Sequence, residues 1–365
     1  MTTANRVESE DSYNAAAIAL AERLSTARRA AAESQPPIDD PSVLFNDRNR
    51  VSWGVAQEYA RMGSRPVSEA LERRASAFGA DFEHLGLTLG TIIHGVHLDG
   101  ELSGDLIAFL RAVLLERKVI FFRDQHLDEA QQVAFGRCFG ALDAFPFGQP
   151  GKDPFILEIV HGKRSPGTEN GWHTDVTWME EPSLGSIAQC VELPAFGGDT
   201  LFADSHAAFL GLRPALQARL RTLEGVNDYR NFIANLPQAL QEEYKAAIPF
   251  GVTHPLLRTH PETRKTALWF HGGFLRHTSL TDTDTGERLP EDEARAIVRE
   301  LQQQHGRPEY TCRFTWAPGS IAFWDNRAVQ HYAASDYYPE SRVLRRVTVR
   351  GDRPYYAAGS DPLDV

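Results

Sequence analysis

The sequence predicts a mainly β protein, a sandwich or jelly roll with helical cover, behind a helical N-terminal extension. Three observations point there. From Leu85 onward, short β-prone runs alternate with helical stretches and turns. The run Val119-Ile120-Phe121-Phe122 is apolar throughout, as a strand buried on both faces must be. No GxGxxG or Walker sequence marks a doubly wound nucleotide-binding sheet, so a layered β architecture is the better fit.

Residues 12–33 are rich in alanine and set Ile18, Leu20 and Leu24 among arginines and glutamates, the pattern of an amphipathic helix. Gln35-Pro36-Pro37-Ile38-Asp39-Asp40-Pro41 breaks helices and reads as a linker. Two short helices are expected next, near Trp53–Met62 and from Pro66, a residue suited to a first helical turn, to Phe78. The domain division expected is therefore a helical extension or arm over 1–80 and a main domain over 81–365. Within the latter, Thr91-Ile92-Ile93 reads as a strand. Asp105–Arg117 reads as an amphipathic helix, because Leu106, Phe109, Leu110, Val113 and Leu114 recur at helical spacing. Asp128, with Gln131 three residues on, carries the signature of a capping box opening a helix that runs to Phe139. Further strands are predicted at Phe155–Val160, Gly185–Leu193, Thr200–Ala203, Tyr310–Trp316, Ser320–Trp324 and Arg342–Arg350. Helices are predicted around Leu210–Leu223, Gln238–Ala247 and Glu291–Gln304.

A length of 365 residues holds one large domain with an appendage or two ordinary ones, and 42% hydrophobic against 24% charged residues supplies an ample core. The net charge of -11 argues against nucleic-acid or anionic-membrane partners, which require a basic surface. Cys138, Cys190 and Cys312 are far apart and form no Cys-x-x-Cys pair, so no disulfide framework or zinc finger is expected. With no signal-like start and no long apolar run, the expectation is a cytoplasmic protein.

The most informative stretch is Trp172-His173-Thr174-Asp175 in GWHTDVTW. On an extended strand residues two apart share a face, so His173 and Asp175 would project together. A third ligand, for which His331 is the candidate, would complete the 2-His-1-carboxylate set favoured by non-haem Fe(II) oxygenases. Among 13 histidines the same spacing also occurs at His97-Leu98-Asp99 and His126-Leu127-Asp128, with His260-Pro261-Glu262 a near miss. Context separates them: Asp128 reads as a helix cap, Asp99 precedes a turn glycine, and His260 precedes a proline. Only His173 follows a glycine-rich approach into a β-prone run. His331 follows the turn Asp325-Asn326-Arg327, a position where a rigid sheet rim gathers ligands; alone it reads more readily as a hydrogen-bonded core histidine.

In Arg342-Val343-Leu344-Arg345-Arg346-Val347-Thr348-Val349-Arg350, the residues Arg342, Leu344, Arg346 and Thr348 share a face. Inward arginines need anions, and a guanidinium fork suits a carboxylate or sulfonate. Gly197-Gly198-Asp199-Thr200 reads as a tight turn delivering a hydroxyl to the start of a strand.

The ordered set WHTDVTW, ELPAFGGDTLFAD, FWDNRAVQHYAASDY and RVLRRVTVRGDRPYY, with VIFFRDQHLDEAQQVAFGRCFGAL and THPLLRTHPETRKTALWFHGGF, resembles the taurine dioxygenase (TauD/TfdA) family of Fe(II)/2-oxoglutarate-dependent dioxygenases over about residues 85–357. The resemblance implies a double-stranded β-helix core in which His173, Asp175 and His331 hold Fe(II). It implies 2-oxoglutarate as co-substrate, with its distal carboxylate on Arg342 and Thr200, and O2 as oxidant. The implied reaction hydroxylates an unactivated C–H bond of a small-molecule substrate with release of succinate and CO2, and the presence of Asp175 favours this over halogenation. Arg346 matches the position that contacts the sulfonate of taurine, and Phe274 and Phe232 match aromatic positions of that pocket. A homo-oligomer, dimer or tetramer, is implied as well.

Three departures bear on the substrate. Phe145 and Gly148 stand where the family's taurine enzyme has a histidine and a tyrosine, and Glu169 stands where it has an asparagine. Lost polar contacts and an aromatic wall predict a substrate larger or more apolar than taurine, with Glu169 a candidate partner for an amine. An alkyl sulfonate or sulfate ester is the alternative substrate. A zinc-dependent hydrolase, which would need neither O2 nor Arg342, and a non-enzymatic jelly-roll binding module are the rival readings of the site.

Overall fold

In the computed structural model, the residues described are 3–33, 45–46 and 49–361. The linker expected at residues 35–41 lies outside them. The chain forms two compact units, Met1–Asn46 and Asp47–Val365. In the first, α1 (Thr3–Glu33) extends through the helix expected from the alanine-rich pattern, with Ile18, Leu20 and Leu24 exposed.

The second unit opens with α2 (Arg50–Arg61) and α3 (Glu69–Ala77). Pro66 does not start the latter; the Ser68 side chain accepts from the Leu71 N–H and caps it three residues later. Then follow β1 (Asp81–His84), β2 (Thr91–His94), α4 (Gly104–Arg117), β3 (Val119–Phe122), α5 (Glu129–Arg137), β4 (Leu142–Asp143), β5 (Gln149–Pro150), β6 (Leu157–His161), β7 (Gly185–Glu192), β8 (Thr200–Asp204) and α6 (Ser205–Leu210). After a helix at Pro214–Leu220 come β9 (Leu223–Asn227), a short helix at Arg230–Ile233, a helix at Gln238–Ala247, β10 (Val252–Pro255), β11 (Leu257–Thr259), β12 (Thr266–Leu268) and β13 (Thr281–Asp282). A helix at Glu291–His305 leads to β14 (Thr311–Phe314), β15 (Ile321–Asp325), β16 (Val329–Ala333) and β17 (Arg342–Val349). The single helix expected over Leu210–Leu223 is a correction: Arg213-Pro214 restarts the helix, and Leu223 already belongs to a strand.

Two sheets face each other. The large one has the order β1-β2-β3-β15-β7-β17-β6-β5, with β4 also paired to β17; the small one is β14-β8-β16. Alternation on the central strands explains both cores. Phe121, Ala322, Trp324, Ala188 and Leu344 point to the small sheet and meet Phe202, Phe314 and Val329 there. Ile120, Phe122, Ile321, Phe323, Ile187 and Val347 point outward and are covered by Phe109, Leu110 and Val113 of α4 and Phe135 of α5. Burial on both faces is why Val119–Phe122 is apolar without a break. The helix caps follow local chemistry: Asp128 and Gln131 form the expected capping box of α5, and Ser103 caps α4. The architecture is the expected jelly roll with helical cover.

Candidate metal centre and substrate cavity

His173 is joined to the sheet by a single bridge. Its N–H donates to the His331 carbonyl at 3.0 Å and receives the His331 N–H on its own carbonyl at 2.8 Å. The strand expected from Trp172 to Trp178 does not form: after His173 the chain turns, with Val176 at φ 49°. The side chain of Asn326 holds that turn. Its Oδ1 accepts the Asp175 N–H at 2.7 Å, and its Nδ2 donates to the carbonyls of Asp175 at 3.0 Å and Ser183 at 3.3 Å. His173 and Asp175 therefore meet through a bridge and a turn, not through the pleat.

Donor atoms of His173, Asp175 and His331 lie within 4.8 Å of one another. The His173 Nδ1 is 2.7 Å from the Gly171 carbonyl, so that nitrogen donates and Nε2 keeps its lone pair. Burial, with His173 and Arg346 nearby, pushes His331 down to about 3, so its imidazole stays neutral. Burial opposes the charge on Asp175, but Arg346, His331, His173 and the Ser186 hydroxyl outweigh it and hold the carboxyl well below the usual range. Ser186 Oγ donates to Oδ2 at 3.0 Å, and Arg346 Nη1 donates to Oδ1 at 3.1 Å. Two imidazoles and one carboxylate, each oriented by a hydrogen bond or by packing, fit a divalent metal such as Fe(II).

Beside these groups lies a cavity of about 860 Å³ lined by Phe145, Glu169, Phe232, Phe274 and Arg346 together with His173 and Asp175. Gly148 lines it as well. Thr200, Arg342 and His331 are not among the residues that line it; Thr200 and Arg342 are buried on β8 and β17. Thr200 pairs with Ala333 and Phe202 with His331, so Thr200 and His331 share one face of the small sheet. The Arg342 guanidinium donates to Thr200 Oγ1 at 3.4 Å, its Nε is buried without a partner, and no carboxylate pairs with it among the described residues. The alternation expected on β17 holds, with a bulge against β7 between Val343 and Leu344.

Two features lay outside the reading of the sequence. Glu169 is within 2.9 Å of His161 Nε2. Burial works against the Glu169 charge, but His161 beside it holds its carboxyl at about 2. That carboxylate already lies beside the basic side chain of His161, which competes with an amine for it. His271 also lines the cavity, stacked on Phe274 with ring centroids 3.8 Å apart and 5.3 Å from the His173 ring. It sits in the WFHGGF run, where no spacing to the metal ligands gave it away.

Residues 81–348 match the family described as "Taurine catabolism dioxygenase TauD, TfdA family". An alkylsulfatase from Acinetobacter baylyi is 34% identical over 274 residues, covering 72% of this chain and 83% of that protein. An alpha-ketoglutarate-dependent sulfate ester dioxygenase from Pseudomonas putida is 33% identical over 297 residues, 78% of this chain and 94% of that one. The crystal structure of a taurine dioxygenase from Burkholderia xenovorans superposes with a TM-score of 0.64 at 33% identity, over 77% of this chain and 92% of the other.

Proposed function

Since the chain belongs to the TauD/TfdA family and is an Fe(II)- and 2-oxoglutarate-dependent dioxygenase, we propose that His173, Asp175 and His331 hold its iron, that Arg342 and Thr200 bind the distal carboxylate of 2-oxoglutarate, and that its substrate is an amphipathic organic anion larger or more apolar than taurine. The convergence of the three donor groups within 4.8 Å at the edge of the cavity carries this reading. When bound, the iron with O2 and 2-oxoglutarate supplies the oxidant for an unactivated C–H bond, with loss of succinate and CO2.

The chain's own residues supply binding, orientation and dryness. Thr200 Oγ1 accepts from Trp316 Nε1 at 3.0 Å and from Arg342, so its lone pairs are engaged and its proton is free for an incoming carboxylate. Arg342, buried and lacking an acid partner, needs that anion. The aromatic wall of Phe145, Phe232 and Phe274 takes an apolar body and limits access of water. Arg346, at the cavity surface, takes the anionic group. An alkyl sulfonate or sulfate ester meets these requirements and is the alternative that the alkylsulfatase and the sulfate ester dioxygenase among the relatives support. Hydrolytic and non-enzymatic readings give way to the family's oxidative chemistry.

His173→Ala and Asp175→Ala are expected to lose Fe(II) binding in equilibrium dialysis and succinate release together; a variant that keeps both is not altered in a metal ligand. Arg342→Ala is expected to raise the 2-oxoglutarate KM by on the order of 100-fold, the scale of a lost charge-assisted bidentate contact. A panel of sulfonates, sulfate esters, aryloxy acids and amino-acid derivatives, scored by substrate-dependent succinate release, identifies the substrate. The three cysteines are free, in keeping with a cytoplasmic location. A homo-oligomer, dimer or tetramer, rests on the family resemblance, and light scattering on a sizing column should read two or four times the chain mass of 40.7 kDa.

A further inference from the structure

One wall of the cavity is a continuous arc. The Arg346 guanidinium carbon lies 5.6 Å from the Phe145 ring centroid. Phe145 meets Phe232 edge-on at 5.8 Å, and Phe232 meets Phe274 at 5.3 Å. Phe274 stacks on His271 at 3.8 Å. Both ends return to the ligand cluster, Arg346 through its hydrogen bond to Asp175 and His271 beside the ring of His173.

The protonation pattern of His271 is set by the backbone. The N–H groups of Gly273 and Phe274 donate to its Nδ1 at 2.9 Å and 3.2 Å. A ring nitrogen that accepts does not carry the proton, so the proton sits on Nε2. That Nε2 has no hydrogen-bond partner among the described residues, and it is not one of the buried polar atoms left unpaired. Because the ring lines the cavity, its N–H edge is open to whatever fills it.

We propose that His271 is a specificity-determining residue whose Nε2–H donates to an oxygen of the substrate, the bridging oxygen of a sulfate ester or of an aryloxy acid, while Arg346 holds the charged group and the phenylalanines hold the apolar body. The proposal rests on the reading of Arg346 and the aromatic wall given above. A neutral donor adds direction without adding a charge that must be balanced. It also rejects isosteres that lack the acceptor, which an apolar wall alone cannot do.

The test uses hexyl sulfate and phenoxyacetate as probes with the wild type, His271→Phe and His271→Gln. Phenylalanine keeps the stack on Phe274 and removes the N–H; glutamine is long enough to bring an amide N–H to the place of the Nε2–H. Probe dissociation constants are read anaerobically with Fe(II) and 2-oxoglutarate present, and KM and kcat are read in air. We expect His271→Phe to weaken binding and raise KM for at least one probe by about five- to tenfold, with kcat and the 2-oxoglutarate KM within about twofold of wild type, and His271→Gln to recover most of the loss. Unchanged affinity in His271→Phe overturns the proposal. So does a wild type that takes up neither probe yet still releases succinate from 2-oxoglutarate, a result that leaves the dioxygenase reading standing. A wild type that never releases succinate removes that reading and the proposal with it. Where His271→Phe does not fold, isotope-labelled histidine in the wild type decides: saturating hexyl sulfate or phenoxyacetate must shift the His271 Nε2–H resonance, and an unmoved resonance overturns the assignment.

Discussion

Glu169 and His161 set what pH does to the segment that leads into the metal ligands. His161 is raised above its ordinary value by Glu169 despite burial, so its contribution is whole below about pH 6.5 and is lost as pH rises through the folded value. Glu169 is held at about 2, so its contribution is whole above about pH 4.5 and is lost as pH falls toward 2. The pair therefore stabilises most between roughly pH 4.5 and 6.5. The gap in Tm between wild type and Glu169→Gln should be wider near pH 5.5 than near pH 8.5; an equal gap would show that the pair does not form. The effect is small, because the Glu169 side chain is 42% exposed. At this scale the sequence was readable where chemistry repeats a known order, as at His173, Asp175 and His331. It was silent on His161 and His271, whose partners come from residues without a fixed spacing.

Elements explain where the reading of short stretches went astray. Trp172–Trp178 has strand-forming residues, yet Asn326 takes the Asp175 N–H that a neighbouring strand would have claimed, and the chain turns. Tertiary hydrogen bonds outweigh β-propensity there. β4, β5 and β13 have two residues each, too few to show a period. The Gly197-Gly198 turn was legible because only glycine suits it: φ is 82° and 76°. A Cβ at Gly198 would lie 3.0 Å from Arg342 Cδ and 3.2 Å from Nε. Gly198→Ala is thus expected to displace the Arg342 fork and raise the 2-oxoglutarate KM roughly tenfold, with Fe(II) affinity unchanged. Loss of Fe(II) binding in that variant would mean the turn supports the metal ligands instead.

Across the whole molecule, a buried ionic cluster fastens α2 to the β core. Glu58, fully buried on α2, lies 2.9 Å from Lys118 and 2.7 Å from Lys265, and also pairs with Arg61, which reaches Asp361 at 2.6 Å. Lys118 in turn meets Asp204 at 2.9 Å. Burial opposes the Glu58 charge, but Lys118, Arg61 and Lys265 hold its carboxyl well below the usual range. Glu58→Ala leaves those cations underpaired and should lower unfolding free energy by about 3–5 kcal/mol in urea titration. A loss below about 1 kcal/mol would place the cluster among surface pairs in energetic weight. None of this was visible beforehand, since a glutamate on an amphipathic helix reads as solvent-facing until the fold encloses it. The Arg346–Asp175 hydrogen bond has a different reach. A guanidinium that touches the cation's acidic ligand and also greets an incoming anion makes loading of the two thermodynamically reciprocal. Whatever factor one occupant imposes on the other's affinity must be returned in equal measure.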